Sequence, residues 1–476
     1  MTTTPTQATT DRGRLPAPPV RRWWLLALLS LAQFMLVLDV TVVNVAMPDI
    51  GADLALSRAV LPWVLTAYTL TFGGLMLLGG RAADLFGARR MLLIGLTVFV
   101  VGSLAAGLAP GAATLLTGRA AQGLGAALMS PAALAVLTTT FTGRDRSRAL
   151  GVWAAIAGGG AALGVILGGL LTSGPGWRWI FFINVPTGLL LLLILPTLIP
   201  TTHRDRATRT PIDVTGAATV TLATGAVLYG LINAGTHGWA AASTLVPLAL
   251  AVPLYAVFVA VERRNPAPLM PPRVLARRPV IAGSLLMLVG TGLLVGAFFL
   301  GSFYLQRQHG YTAAGTGLAF LPIALGTILG AHGGGHLVTK IDTRVLAAGS
   351  LAVAALGSAL AAGAGGPVGL VLGLSVAAIG IGATFVTAFT TALTAVDPHE
   401  AGLRSGIVNT FHELGGGLGV AILSSVTAAG LTGAASTTGF SNAFTVSAVA
   451  AAAAAVLAAF VVPSGTATAG TTPRAH

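Results

Sequence analysis

Not one cysteine occurs in the 476 residues, which excludes disulfides, iron–sulfur clusters and thiol catalysis. Charge is nearly as scarce: 8% of the residues are Asp, Glu, Lys or Arg, where soluble domains carry about 25%. Lysine occurs once, as Lys340 followed by Ile341. There is therefore no Walker A phosphate loop and no mid-membrane lysine for a Schiff base. No G-x-S-x-G elbow and no H-E-x-x-H is present, so two common hydrolase signatures are also missing. No cofactor or metal is implied.

What fills the space is apolar. Fifty-five per cent of the residues are hydrophobic and the mean hydropathy is +0.87, more than a soluble core can hide, so the bilayer must act as solvent. A net charge of +13 could suggest nucleic acid, but the basic residues stand singly or in pairs between apolar runs. That distribution is topological, and no nucleic-acid partner is expected. Arginine supplies 25 of the 26 basic residues, and with the Ala and Gly excess this has the look of a GC-rich bacterial genome.

Apolar stretches of about 18 to 25 residues give fourteen helices. They fall near 23–46, 59–79, 91–109, 112–139, 148–171, 179–199, 212–233, 241–261, 280–304, 313–336, 345–363, 367–393, 405–429 and 440–462. The fold class is thus an all-α integral membrane protein, two pseudo-symmetric six-helix bundles plus two inserted helices. The divisions are a tail (1–22), a first bundle of helices 1–6 (23–199), loops with helices 7 and 8 (200–278), a second bundle of helices 9–14 (279–462) and a tail (463–476). A faint repeat supports the pairing of bundles: Gly80–Arg90 after helix 2 aligns with Gly335–Arg344 after helix 10. With the N-terminus inside, 22 basic residues fall in cytoplasmic segments, Arg58, Arg178 and Arg307 fall outside, and Arg119 lies within a span. That asymmetry places both termini in the cytoplasm. The first apolar run is too long for a cleaved signal peptide.

Asp39 lies deep within the run Trp24–Val45. An acid in hydrocarbon is costly unless protonated or paired, so it marks a functional site. Arg119 sits about nine residues, or ~13 Å, below the outer end of helix 4, and Asp39 sits at similar depth in helix 1. The two are candidates for a proton-coupling pair, with a permanent structural salt bridge as the plain alternative. At about 100° per residue Asp39 and Asn44 diverge by about 140°, so Asp39 faces a helix neighbour while Gln33 and Asn44 line the cavity. Gln122 is a further cavity candidate. Glu413, beside His412, is the other acid well inside a span, either a second proton site or a counter-charge for a cationic substrate. Gly80 and Gly87 allow a tight turn, and Asp84 can pair with Arg89 or Arg90 in a conformational latch. Gly160, Gly164 and Gly168, four apart, form a groove for close helix approach, flanked by Gly151 and Gly169. His332 and His336 read as a solvated interfacial pair rather than metal ligands, and Asp213 as an N-terminal cap.

These segments together resemble the fourteen-span drug:proton antiporters of the major facilitator superfamily. The likeness rests on Asp39–Pro48, Gly80–Arg90, Arg119–Gly123, the glycines of helix 5 and Trp177–Pro186, and covers nearly the whole chain. It implies proton-coupled efflux of amphipathic drugs or antibiotics through the bacterial cytoplasmic membrane, with small molecules, protons and the lipid bilayer as partners. It departs at Val165, where the family's helix-5 motif, tied to antiport direction, has proline. A dedicated metabolite exporter or importer on the same scaffold is the alternative. A channel is disfavoured by the absence of repeated pore charges, and a membrane enzyme by the absence of catalytic constellations.

Overall fold

The computed structural model describes residues 19–199, 213–394, 396, 400–427 and 437–465. Among the described residues there is no strand; the chain runs as long helical rods joined by short turns. We label them α1 (Pro19–Asp53), α2 (Trp63–Phe86), α3 (Ala88–Gly107), α4 (Ala112–Thr140) and α5 (Gly143–Ser173). Next come α6 (Trp179–Leu198), α7 (Val214–His237), α8 (Ala242–Arg264), α9 (Arg278–Gln308) and α10 (Ala313–Leu337). The last are α11 (Thr343–Ala362), α12 (Pro367–Ala392), α13 (Ala401–Val426) and α14 (Thr437–Val461). Among the described residues twelve helices, all but α5 and α13, are long and apolar enough to cross a membrane. The segments 1–18, 200–212 and 466–476, which hold most of the expected tails and the central loop, lie outside the described residues.

The local chemistry explains the boundaries. Asp213 caps α7, accepting the Gly216 N–H at 2.7 Å; Thr312 caps α10 through Gly315 N–H at 3.0 Å. Asp342 caps α11 through Arg344 N–H at 2.8 Å. Pro48 does not end α1, which continues to Asp53, because neighbouring helices can satisfy backbone groups that a proline frees in a membrane bundle. Gly80–Arg90, expected as a loop, is helical except at Gly87. That residue alone turns the chain, with φ of +95°, a conformation open to glycine.

Packing repeats. α3 packs on α4, α2 on α4, α1 on α5 and α3 on α6; α11 packs on α12, α10 on α12, α9 on α13 and α11 on α14. The second set is the first with eight added to every helix number. The contacts between the two groups obey the same exchange: α2 meets α13 and α10 meets α5. α7 and α8 pack on each other, and α7 also touches α2 and α13. Only 17% of the most apolar window of α8 is buried, with Val246, Leu250 and Val252 exposed, as a lipid-facing helix requires. One end of the bundle, the odd-loop end, carries the α1–α2, α5–α6 and α9–α10 turns, and the opposite, even-loop end carries the α2–α3 and α4–α5 turns.

Candidate functional site: a buried ion pair within a polar ring

Asp39 and Arg119 meet. Arg119 is fully buried and Asp39 is 1% exposed, and Arg119 Nη1 donates to Asp39 Oδ2. Further polar and aromatic groups surround the pair, as two charges taken out of water require, although Arg119 Nη2 is buried without a hydrogen-bond partner. Gln122 Nε2 donates to Asp39 Oδ1 at 2.8 Å and to Ser103 Oγ at 3.1 Å. Asn184 Nδ2 reaches Asp39 Oδ1 at 3.4 Å and Ser103 Oγ at 3.0 Å, while Ser103 donates to the Phe181 carbonyl at 2.9 Å. On the cation's side, Arg119 Nη1 donates to Gln122 Oε1 at 3.0 Å and Nε to the Val64 carbonyl at 2.8 Å. The guanidinium also lies over the Tyr68 ring, 4.5 Å from its centroid, a cation–π contact. Five helices, α1, α2, α3, α4 and α6, thus converge on one ion pair.

Some expected cavity residues are placed elsewhere. Gln122 is fully buried and belongs to this ring; three residues from Arg119, it shares that face of α4. Asn44 is 1% exposed and bonds back to the Val40 carbonyl at 2.8 Å, so it lines no open cavity. Gln33 is half-buried and its buried carbonyl oxygen has no partner. Glu413 is half-buried on α13, where it abuts α2: a Cβ on Gly73 would lie 3.0 Å from Glu413 Cβ. Tyr68 stands within electrostatic reach of both Asp39 and Glu413. His412 faces the other way, its Nδ1 2.8 Å from Thr291 Oγ1 on α9.

The α5 glycines divide into two faces. A Cβ at Gly160 would approach Val37 at 3.1 Å, one at Gly164 would strike Thr41, and one at Gly168 would come within 2.9 Å of Val42 Cα. These three seat α1. Gly169 looks the opposite way, where a Cβ would lie 2.6 Å from the Ala313 carbonyl of α10. Gly151 is exposed with nothing within 4 Å of its would-be Cβ, so it packs no helix. α5 runs unbroken through Val165. In the expected latch, Arg89 Nη2 donates to the Pro196 carbonyl of α6 at 2.8 Å, tying α3 to α6. Gly80 is half-buried, and Asp84 and Arg90 are exposed. His332 and His336 are exposed neighbours, and no group of three potential metal ligands occurs among the described residues.

Sequence reasoning missed Ser103, Asn184 and the role of Tyr68. It also missed an anchor at the odd-loop end. There Asp53, closing α1, pairs with Arg178 at 2.7 Å and accepts the Trp177 indole N–H at 3.0 Å.

Residues 29–420 match the family model described as Major Facilitator Superfamily. The chain belongs to the Major Facilitator Superfamily. Among its relatives is a puromycin resistance protein of Streptomyces alboniger, 40% identical over 424 residues that cover 86% of this chain and 82% of the relative. Another is a cephamycin export protein of Amycolatopsis lactamdurans, 38% identical over 421 residues, covering 86% of this chain and 85% of the relative. The fold is similar to that of a bacterial homologue of a human lysosomal transporter, Spinster, solved inward-facing and unoccupied. The TM-score is 0.64 at 18% identity, covering 93% of this chain and 96% of the other. The superfamily fold makes this chain a multi-pass membrane transporter.

Proposed function

We propose that this transporter exports amphipathic small molecules, antibiotics among them, across the bacterial cytoplasmic membrane in exchange for protons. The observation that carries the reading is the buried Asp39–Arg119 pair at the centre of α1–α6, in a chain whose relatives are named for puromycin resistance and cephamycin export. In this reading all fourteen long helices span the bilayer, α5 and α13 included, since each packs along a neighbour that is apolar enough to cross. The six-helix groups are 23–199 and 279–462, with 200–278 between them. Both termini and the even-loop end face the cytoplasm, because the arginines concentrate there.

Coupling follows from electrostatics. A proton on Asp39 cancels the anion and leaves Arg119 charged in a low-dielectric interior, where breaking a buried pair costs about 3–5 kcal/mol. The Val64 carbonyl, Gln122 Oε1 and the Tyr68 face remain to hold the guanidinium. Part of that cost is relieved by moving α4 relative to α1, and this motion is the conformational step. One proton crossing the membrane potential supplies about 2.3 kcal/mol per 100 mV. Glu413, half-buried on α13, is the counter-charge for cationic substrates or a second proton carrier. Gly80, Asp84, Gly87, Arg89 and Arg90 form a conformational latch that holds one arrangement of the bundles and releases in the other, with Arg89 tying α3 to α6.

The test is a drug panel on an efflux-deficient bacterial host expressing the chain, with proton flux in inverted vesicles. Added drug should collapse a preformed pH gradient in vesicles with the unaltered chain and not in those with Asp39→Asn. Substrate flux indifferent to the pH gradient would refute antiport.

A further inference from the structure

Among the described residues three hydrogen bonds join the two helical groups at the odd-loop end, and each donor belongs to α9 or α10. Gln306 Nε2 donates to the Val45 carbonyl at 2.8 Å, Arg307 Nη2 to the Pro48 carbonyl at 3.1 Å, and the Ala314 N–H to Ser173 Oγ at 2.8 Å. Gln306 and Arg307 project from a π-helical turn, Tyr304–Gln308, a wide form that recurs at functional positions inside helices. Their acceptors are the carbonyls of Val45 and of Pro48 itself, in the turn where Pro48, lacking an N–H, interrupts the α1 hydrogen-bond ladder. Because the acceptors of Gln306 and Arg307 are backbone oxygens, only these two side chains decide whether those bonds exist.

Two further observations mark the contact as one that opens. A cleft of about 350 Å³, lined by Pro48, Asp49, Ser173, Gln306, Arg307 and Tyr311 among others, borders both donors and the Pro48 acceptor, so water can compete for the Arg307 bond and can solvate a released Gln306. Gln308, in the same turn, has both amide atoms buried with no hydrogen-bond partner, so the turn is not at its hydrogen-bonding optimum in this arrangement.

We propose that Gln306 and Arg307 form a releasable clasp: they seal the odd-loop end by gripping the Val45 and Pro48 carbonyls of α1, and substrate leaves only when they let go. The sealing does not depend on the export reading; the statement about substrate release rests on it.

The absence of native cysteine makes the test clean. Spin labels at Ala52→Cys and Tyr311→Cys, both lining the cleft, report its width by double electron–electron resonance in lipid nanodiscs. The labelled parent should give a dominant short distance. Gln306→Glu keeps the size and removes the donor, and should shift the closed-to-open ratio about three- to tenfold toward open. Adding Arg307→Met should shift it further, and Arg307→Lys alone, which keeps a donor, should stay near the parent. Should the double variant not be recovered as folded protein, Gln306→Glu alone carries the test. An unchanged ratio with Gln306→Glu overturns the clasp. If the ratio shifts while neither parent nor variant exports any drug, the seal stands and the export reading falls.

Discussion

Removing the carboxylate and removing the guanidinium at the centre of α1–α6 are not equivalent losses. Arg119→Ala strands the Asp39 anion with two amide donors, Gln122 and Asn184, and is expected to cost about 3–5 kcal/mol. Asp39→Asn leaves the cation a carbonyl, an amide oxygen and an aromatic face, so the loss should be smaller. Thermal unfolding in detergent orders the two, and a reversed order would mean that the carboxylate, not the arginine, holds the ring together. The pair itself was readable before any coordinates, because spans located independently put one acid and one base at equal depth. Gln122 was named for the cavity, although its i+3 spacing from Arg119 already set it on the buried face. Ser103 was not legible: a lone serine in an apolar helix gives no sign of whether it bonds its own backbone or a neighbour.

Fourteen long helices occur among the described residues, twelve of them apolar enough to span a membrane, since length and apolarity decide a membrane helix almost alone. Their limits lie within about five residues of expectation, except that α1 and α2 run on to Asp53 and Phe86, past the expected ends at 46 and 79. What the pattern could not give is how α1 passes its proline, or that the expected Gly80–Arg90 loop shrinks to Gly87. The α5 glycines were legible as a groove, yet Gly151 was grouped with them against the geometry. Nine residues at about 100° each put it half a turn from Gly160. Gly168→Ala would force a Cβ to within 2.9 Å of Val42 Cα, where backbone cannot yield, and should cost roughly 1–3 kcal/mol. Gly151→Ala should cost nothing, and melting curves of the two compare them directly. At the start of α11, burial raises the Asp342 pKa, but the backbone N–H groups of Gly465, Arg344 and Val345 and the Arg344 charge together hold it below the usual value. A carboxylate depressed by folding contributes fully above its unfolded pKa and loses that contribution as pH falls through the folded one. Hydrogen exchange at Gly465, whose N–H donates to Asp342 at 2.8 Å, should therefore quicken on acidification through that range. In Asp342→Asn it should not respond to pH beyond the intrinsic rate.

On the scale of the whole molecule, the contacts between the two groups are symmetric in kind but not in depth. α5 and α10 touch where Gly169 meets Ala313 and where the Val165 carbonyl approaches Gly317, all toward the odd-loop end. Gly151 lies about five helical turns from Gly169 and so on the same face of α5, aimed at α10, yet nothing stands within 4 Å of it. The helices therefore part toward the even-loop end, while Gln306 and Arg307 keep the opposite end closed. Gly151→Cys places a lone thiol in that gap without meeting a neighbour. If the arginine-rich end is cytoplasmic, a membrane-impermeant maleimide should label the thiol in inverted vesicles and not in intact cells. Releasing the clasp with Gln306→Glu should slow that labelling, because alternating access closes one end as the other opens. Labelling from outside intact cells would reverse the assigned orientation, and a rate untouched by Gln306→Glu would uncouple the two ends.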